Sequence, residues 1–334
     1  MNTPLLELKS ISKRFEKKLD IAGKFARSLG VGLKEETVHA VDRVNLMIKK
    51  GEVVGLVGES GCGKSTLGRV VVGLHQQTEG EKFWRGKDVA SMTTDQKRAM
   101  QLEAQMIFQD PYASLNPRYR VEDIIGEAPV VHGIITAKDR PSYVADVMQR
   151  VGLDPALSRR FPHQFSGGQR ARIGIARALA VKPNFLVCDE AVAALDVSIQ
   201  AQVLNLFIKL REELDLTYLF ISHDLGVVRH LSDRVVIMYL GRVVETAPAD
   251  ELFTHPDHPY TQGLLAEVPS LTMRKKDFVA IKGEIPSPLN PPTGCHFHPR
   301  CPYTASVPGN RCQTEQPMLK EIAVNRFSAC HLNQ

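Results

Sequence analysis

A glycine-rich stretch early in the chain ends in a lysine and two hydroxyl side chains. It consists of Gly58, Glu59, Ser60, Gly61, Cys62, Gly63, Lys64, Ser65 and Thr66. Glycines let the backbone curl so that successive N–H groups converge on an anion, and a helix beginning near Lys64 would direct its positive end at the same point. Lys64 would then reach the β- and γ-phosphates of a nucleotide, and Ser65 would ligate Mg²⁺. The pattern predicts an ATP-binding phosphate loop; a tight turn with a chance Lys-Ser pair is the alternative.

Two carboxylates follow the apolar run Phe185–Cys188, which we predict to be a buried strand. Asp189 would lie at the carboxyl end of that strand, where it could hold Mg²⁺ directly or through water. Glu190, one residue further, could polarise a water molecule for attack on the γ-phosphorus. The alternative is that the two acids merely end a strand. The intact phosphate loop elsewhere in the chain argues against this alternative.

A third motif, Ser166-Gly167-Gly168-Gln169, opens a helical pattern that Pro183 closes. Ser166 is a favourable N-cap residue, and a glycine-rich helix start is a second site where an anion can bind. The phosphate loop of this chain already serves its own nucleotide. We therefore expect the phosphate at this helix start to come from elsewhere.

Four of the six cysteines lie in the C-terminal tail, spaced C-x5-C-x10-C-x17-C: Cys295, Cys301, Cys312 and Cys330. The N-terminus lacks a secretory signal pattern, so we expect these thiols to stay reduced. A tetrathiolate site for zinc or an iron–sulfur cluster is one interpretation, although the tight C-x2–4-C pairs typical of zinc are missing. Four unbound thiols are the alternative, and His296, His298 or His331 could replace a thiolate. Because the tail and the phosphate loop share no residues, we expect ATP binding to survive the loss of a tail cysteine.

These motifs need strands and helices to position them. Apolar runs of strand length, such as Glu52–Val57 and Arg234–Leu240, alternate with helical patterns. This alternation predicts an α/β fold with a largely parallel sheet.

Length and composition limit the function classes. A chain of 334 residues suggests about two domains, and 43% apolar with 24% charged residues is typical of a globular protein. No apolar run approaches the ~20 residues of a membrane span. The net charge of +5, from 42 basic and 37 acidic residues without a basic stripe, gives no reason to expect a nucleic-acid partner.

The order of phosphate loop, Ser166–Gln169 and acidic strand resembles that of ATP-binding cassette (ABC) ATPases. The resemblance implies a P-loop NTPase core of the ABC type, and a dimer in which each ATP lies between one subunit's phosphate loop and the other's Ser166–Gln169 motif. It implies that Gln109 contacts Mg²⁺ or the attacking water and that His223 senses the γ-phosphate. It places Asp196 in a loop that crosses the dimer interface and makes Phe15 a candidate for adenine stacking. Ordinary structural roles are the alternatives for Gln109, His223 and Phe15.

The chain departs from the usual ABC pattern at three small residues. Ala191 and Ala193 stand where proline and serine are usual, and Ala171 stands where glutamine is common. None of these changes removes a charged catalytic group, so we expect hydrolysis to be retained.

A narrower resemblance covers nearly the whole chain. The stretches "FQDPYASLNPR", "HPDHPYTQGLLAEVP" and "GEIPSPLNPPTGCHFHPRC" resemble bacterial oligopeptide and dipeptide permease ATPases, closest to the F-type subunit. The implied organisation is an ABC domain over residues 1–254, with a helical subdomain at about 110–165, and a Cys-rich C-terminal extension over 255–334. An inserted segment, Lys17–Thr37, precedes the second strand-like region.

This resemblance implies an ATP-hydrolysing subunit of a dipeptide or oligopeptide importer, peripheral to the cytoplasmic face of the bacterial inner membrane. It implies a paralogous D-type ATPase partner, two transmembrane permease subunits and, indirectly, a solute-binding protein. It also adds the expectation of a [4Fe–4S] cluster on the four tail cysteines, with zinc as the alternative. The competing functions are import of nickel, glutathione or sugar, a soluble ABC ATPase acting on nucleic acid or ribosomes, and a non-hydrolysing regulatory subunit.

Overall fold

The computed structural model describes residues 3–17, 36–110, 112–267 and 281–333. Residues 18–35 of the predicted insertion lie outside that part of the chain. The strands are β1 (Leu6–Lys17), β2 (Glu36–Ile48), β3 (Val53–Val57), β4 (Glu79–Trp84), β5 (Lys87–Asp88), β6 (Ala104–Ile107), β7 (Phe185–Asp189), β8 (Thr217–Ser222), β9 (Arg234–Tyr239), β10 (Arg242–Pro248), β11 (Lys320–Ala323) and β12 (Arg326–Ser328).

The helices fill the connections between these strands. They are α1 (Lys64–Val71), α2 (Thr94–Glu103), α3 (Val121–Val131), α4 (Arg140–Arg150), α5 (Gly167–Leu179), α6 (Val197–Leu214), α7 (Leu225–Leu231), α8 (Ala249–Thr254), α9 (Pro259–Ala266) and α10 (Arg311–Thr314).

The central sheet has the strand order β11-β12-β10-β9-β3-β8-β7-β6. Strands β9, β3, β8, β7 and β6 run parallel, which confirms the predicted parallel sheet, and the other three add an antiparallel edge. Every residue of β3, β7 and β8 is buried. The sequence of a strand that is covered on both faces is a continuous apolar run. The positions of these strands could be predicted for that reason.

Alternate residues of β7 enter two different cores. Leu186 and Cys188 pack with apolar side chains of α3, α4, α5 and α6, whereas Phe185 and Val187 face α1 and the strands β1 and β2. Cys188 is fully buried, as expected for the apolar run Phe185–Cys188. Helix α5 thus lies against both the sheet and the α3–α4 pair that occupies the connection between β6 and β7.

A second sheet, with the order β2-β1-β4-β5, is antiparallel throughout and covers the face of α1 opposite the central sheet. The sequence analysis did not predict it. Register shifts interrupt the pairing of β1 with β2 at three places, between Leu8 and Arg14. Such bulges break the regular apolar–polar alternation that reveals a half-buried strand in a sequence.

The C-terminal residues join the central sheet at its antiparallel edge. Strand β12 pairs with β10 through Glu245–Ser328 and Thr246–Phe327. Phe297 is buried in a third core, against the rings of Tyr239 and Tyr260. The tail therefore shares a sheet and a core with the rest of the chain.

Two helical glycines provide a matched test of this packing. A Cβ on Gly68 of α1 would lie 2.8 Å from Ile221 Cδ1 and 3.0 Å from Val187 Cγ1, whereas one on Gly174 of α5 would meet nothing within 4 Å. We expect Gly68→Ala to destabilise the protein by about 1–3 kcal/mol through overpacking. Gly174→Ala should stabilise it by about 0.5–1 kcal/mol because alanine loses less backbone entropy in a helix. Urea unfolding of the two variants measures both effects, and equal shifts would contradict the packing described for α1.

Candidate functional site

The phosphate loop joins the end of β3 to the start of α1, as the sequence predicted. A Cβ on Gly58 would lie 2.1 Å from the carbonyl oxygen of Met238, and one on Gly63 would lie 2.0 Å from that of Ala40. Gly63 also has a φ of 103°, a left-handed value that side chains disfavour. Glycine at these two positions is therefore a steric requirement of the curl.

Lys64 folds back over the loop that precedes it. Its Nζ donates to the carbonyl oxygens of Gly58 at 2.6 Å and of Glu59 at 3.0 Å, and the side chain is buried. Cys62 is buried beside it, and this burial raises the pKa of its thiol. The loop thus holds a lysine ammonium at the point where its backbone curls.

Ser65 and Asp189 meet at the start of α1. The Ser65 hydroxyl donates to Asp189 Oδ1 at 2.7 Å, and Asp189 is 1% exposed. Burial raises the pKa of the Asp189 carboxyl, and the hydrogen bond from Ser65 opposes that shift. A hydroxyl and a carboxylate at this distance are oxygen donors of the kind that Mg²⁺ takes in nucleotide sites.

Glu190 brings together the other predicted catalytic residues. Its Oε2 accepts from Gln109 Nε2 at 2.7 Å and lies 3.4 Å from His223 Nδ1. The backbone of Glu190 has a φ of 47°, in the left-handed region, and its N–H donates to the Ile221 carbonyl at 3.0 Å. Non-glycine residues in this region carry strain, which is often found at active sites. The three side chains occupy one cluster directly after the Asp189 end of β7.

The Ser166–Gln169 motif forms a capping box at the start of α5. The Ser166 hydroxyl accepts from the Gln169 N–H at 3.3 Å, and the Gln169 side chain accepts from the Ser166 N–H at 3.0 Å. Ser166 and Gly167 are exposed, so the helix start faces solvent. In the described part of the chain, no hydrogen bond joins this motif to the phosphate loop.

Two further predicted binding residues, Asp196 and Phe15, also form no hydrogen bond to the phosphate loop in the described part of the chain. Asp196 is exposed at the N-terminus of α6. Phe15, on β1, is 37% exposed and presents its ring edge to His75 at a centroid distance of 5.4 Å. Ala191 and Ala171 are buried, while Ala193 is exposed.

The four tail cysteines line one cavity of about 10 Å³, whose walls include Phe297 and Val307. Burial raises the pKa of Cys295 to about 11 and that of Cys330 to about 12. Among the described residues, no group of three or more His, Cys, Asp or Glu side chains is close enough to hold a metal ion. The four cysteines of the predicted zinc or [4Fe–4S] site therefore lie around one cavity, but their arrangement does not support a metal site.

The tail histidines contact backbone carbonyls. His296 Nδ1 lies 3.0 Å from the Leu240 oxygen, His298 Nδ1 lies 2.9 Å from the Cys295 oxygen, and His331 Nε2 lies 2.9 Å from the Glu315 oxygen. Each ring is thus oriented by the backbone.

The tail and the phosphate loop share no residues, but hydrogen bonds join them. The Arg300 guanidinium forms two hydrogen bonds to the Glu59 carboxylate, and the Tyr260 hydroxyl accepts from the Glu59 N–H. The sequence analysis missed both Arg300 and Tyr260. The partners are 241 and 201 residues apart, and no local pattern marks a contact over such distances.

Comparisons with known proteins agree with this geometry. A family model described as ABC transporter matches residues 41–193, and one described as oligopeptide/dipeptide transporter, C-terminal region, matches residues 244–307. The oligopeptide transport ATP-binding protein AppF of Bacillus subtilis is 48% identical over 332 residues, which cover 98% of this chain and 97% of AppF. The dipeptide transport ATP-binding protein DppF of Haemophilus influenzae is 42% identical over 330 residues, covering 98% and 97%. The chain belongs to the oligopeptide/dipeptide family of ABC transporter ATP-binding proteins.

The solved structure of the ATP-binding cassette MJ0796, a dimer bound to ADP and Pi, resembles this ABC ATPase with a TM-score of 0.61. The two are 27% identical, and the match covers 73% of this chain and 98% of the other. These comparisons confirm the predicted ABC family and its α/β ATPase fold. In residues 3–17, 36–110, 112–267 and 281–333, no helix of this ABC ATPase is long and apolar enough to span a bilayer.

Proposed function

We propose that this ABC ATPase powers the import of dipeptides or oligopeptides. The observation that carries the proposal is the cluster of Glu190, Gln109 and His223 next to the buried Ser65–Asp189 pair. The similarity to the oligopeptide transport protein AppF and the dipeptide transport protein DppF, and the match to the oligopeptide/dipeptide C-terminal region, favour peptides over nickel, glutathione or sugar as the solute. A complete hydrolytic cluster also argues against a purely regulatory subunit.

In the proposed mechanism, the loop from Gly58 to Thr66 binds the phosphates through its backbone N–H groups. Lys64 would neutralise charge on the β- and γ-phosphates, and Ser65, Asp189 and Gln109 would hold Mg²⁺. Glu190 accepts a hydrogen bond from the attacking water and aligns it with the γ-phosphorus.

The remaining predicted residues complete the nucleotide site. His223 would hydrogen-bond the γ-phosphate and respond to its loss, and the exposed ring of Phe15 would stack on adenine. The exposed Ser166–Gln169 helix start would bind the γ-phosphate of the ATP held by the other subunit, and Asp196 would cross the same interface. Two chains are then needed for each composite site.

Glu190→Gln tests the role of the carboxylate as a base. Glutamine has the same shape and keeps a hydrogen-bonding group beside Gln109 and His223, but it is a poor proton acceptor. We expect ATP hydrolysis by the assembled transporter to fall about 10²–10⁴-fold while ATP remains bound. Lys64→Ala is the matched variant and should lose ATP affinity instead. Parental turnover in Glu190→Gln, or equal ATP binding by both variants, would refute these assignments.

We further propose that the second ATPase is a paralogous D-type subunit, and that the pair binds two transmembrane permease subunits at the cytoplasmic face of the bacterial inner membrane. A solute-binding protein would deliver the peptide on the other side. The solvent-exposed Ser166–Gln169 motif supports an ATPase partner, because its capping box leaves the outer face of the helix start open.

Reconstitution separates these partner assignments. We expect the purified chain alone to hydrolyse ATP slowly, and its rate to rise when the D-type and permease subunits are supplied. Proteoliposomes of the full assembly should accumulate a labelled dipeptide or oligopeptide in an ATP-dependent manner. High activity of a homodimer that ignores the other subunits would exclude the heterodimer, and ATP-dependent uptake of nickel, glutathione or a sugar without peptide uptake would exclude the proposed solute.

For the tail pocket we propose a [4Fe–4S] cluster bound by Cys295, Cys301, Cys312 and Cys330. The support for this proposal is that four soft thiols line one cavity with apolar walls. The tight C-x2–4-C pairs typical of zinc sites are missing from the tail. An iron–sulfur cluster instead distributes its cysteines over several iron atoms. When bound, it would cross-link a tail that has little core of its own.

Cys301→Ser tests this proposal. Anaerobically purified parental protein should be brown and contain about four irons per chain. Cys301→Ser should lose the colour and become more sensitive to protease between Gly294 and Cys330, while Cys62→Ser should keep the iron. Colourless parental protein with one zinc would identify a zinc site, and metal-free protein with four alkylatable tail thiols would exclude both metals.

A further inference from the structure

Glu59 is the residue through which the C-terminal extension touches the phosphate loop. Arg300 Nη1 donates to Glu59 Oε2 at 2.7 Å, and Nη2 donates to Glu59 Oε1 at 3.0 Å. The Glu59 N–H donates to the Tyr260 hydroxyl at 2.9 Å, and the Glu59 carbonyl accepts from Lys64 Nζ at 3.0 Å. The side chain, the N–H and the carbonyl of Glu59 therefore all form hydrogen bonds. Two of these three groups bind residues of the C-terminal extension, Arg300 and Tyr260.

The partners of Glu59 are rigidly held. The Arg300 side chain is 5% exposed and lies beside the ring of Tyr239, while the Glu59 side chain is 22% exposed. Tyr260 is fully buried, with its ring centroid 4.7 Å from that of Tyr239 and 5.4 Å from that of Phe297. A two-fold hydrogen-bonded Arg–carboxylate pair in such surroundings has a defined geometry, unlike a surface ion pair.

The charge on Glu59 matters because of its position. It lies between Gly58 and Ser60 in the loop that receives the negatively charged phosphates. An unpaired carboxylate there would repel ATP, and because the Glu59 side chain is 22% exposed, added salt would screen part of that repulsion.

We propose that Arg300 is a positioning residue of the ATP site, which neutralises Glu59 and, together with Tyr260, holds the phosphate loop in its binding shape. The inference rests on the proposed binding of ATP by this loop. It makes nucleotide affinity a property of the C-terminal extension as well as of the ABC core. Because Arg300 directly precedes Cys301, the tail pocket and the ATP site are joined by a single peptide bond.

The first experiment measures the Kd for Mg·ATP of the full chain by calorimetry. We expect Arg300→Gln to raise Kd about tenfold at low ionic strength, and the effect to shrink as salt is added. Arg300→Lys keeps the charge but loses the two-fold geometry, so its effect should be smaller. Arg311→Gln is the control, since it breaks an ion pair between Arg311 and Glu315 within the extension, and its Kd should stay within about twofold of the parental value.

A double variant separates charge from folding. In Arg300→Gln with Glu59→Gln, both charges are gone, so Kd should return to within about threefold of the parental value. In the assembled transporter, Arg300→Gln should raise the KM for ATP and leave kcat unchanged, because Arg300 touches neither the water nor the γ-phosphate site. If Arg300 only stabilised the fold, the loss of Mg·ATP affinity in Arg300→Gln would not depend on salt. The double variant would then not restore the affinity.

These measurements distinguish an error in the proposed role of Arg300 from an error in the proposed ATP-binding function. If the parental chain does not bind Mg·ATP, or if Lys64→Ala binds it equally well, the phosphate-loop assignment fails. If the parental chain binds Mg·ATP and Arg300→Gln binds it with the same Kd, the positioning role alone is refuted. A loss of affinity that persists in the double variant refutes it as well.

Discussion

The steric limit on the phosphate loop is the constraint on which the rest of the structure depends. The loop can curl only if Gly58 passes within contact of the Met238 carbonyl and Gly63 within contact of the Ala40 carbonyl. One of these carbonyls belongs to β9 of the parallel sheet and the other to β2 of the antiparallel sheet. The loop therefore packs against one strand of each sheet, and we expect a substitution that moves either strand to alter nucleotide binding.

Parallel strands explain why the predicted catalytic residues meet. The carboxyl ends of β3, β7 and β8 lie at one edge of the sheet, in a register that places Val57 beside Ser222 and Asp189 beside Ile221. Each strand therefore delivers its following residues to the same place, the loop after β3, Glu190 after β7 and His223 after β8. The left-handed backbone of Glu190 turns its carboxylate towards Gln109 and His223. The proposed hydrolytic cluster results from the strand register combined with the left-handed backbone of Glu190.

Local motifs allowed much of this arrangement to be predicted from the sequence. The buried strands β3 and β7, the start of α1 at Lys64 and the N-cap at Ser166 each depend on neighbouring residues, so their patterns are readable. The antiparallel sheet could not be predicted, because bulges in β1 disturb its alternation. The Arg300–Glu59 pair could not be predicted either, since it depends on how the tail folds onto β10. Cysteine spacing led to the prediction that the four tail thiols lie together, and they line one cavity. It gave no information about the contact between Arg300 and Glu59.

The same long-range pair has a consequence for synthesis on the ribosome. Glu59 leaves the ribosome 241 residues before Arg300. At about 5–20 residues per second, roughly 12–50 s pass between the two. During that interval the nascent chain already has its glycine loop, Lys64 and later Glu190, but Glu59 still lacks its cation and the sheet still lacks the β12 edge. A nascent or prematurely terminated chain thus carries an ATP loop with an uncompensated carboxylate, and translation must reach the tail before the nucleotide site is complete.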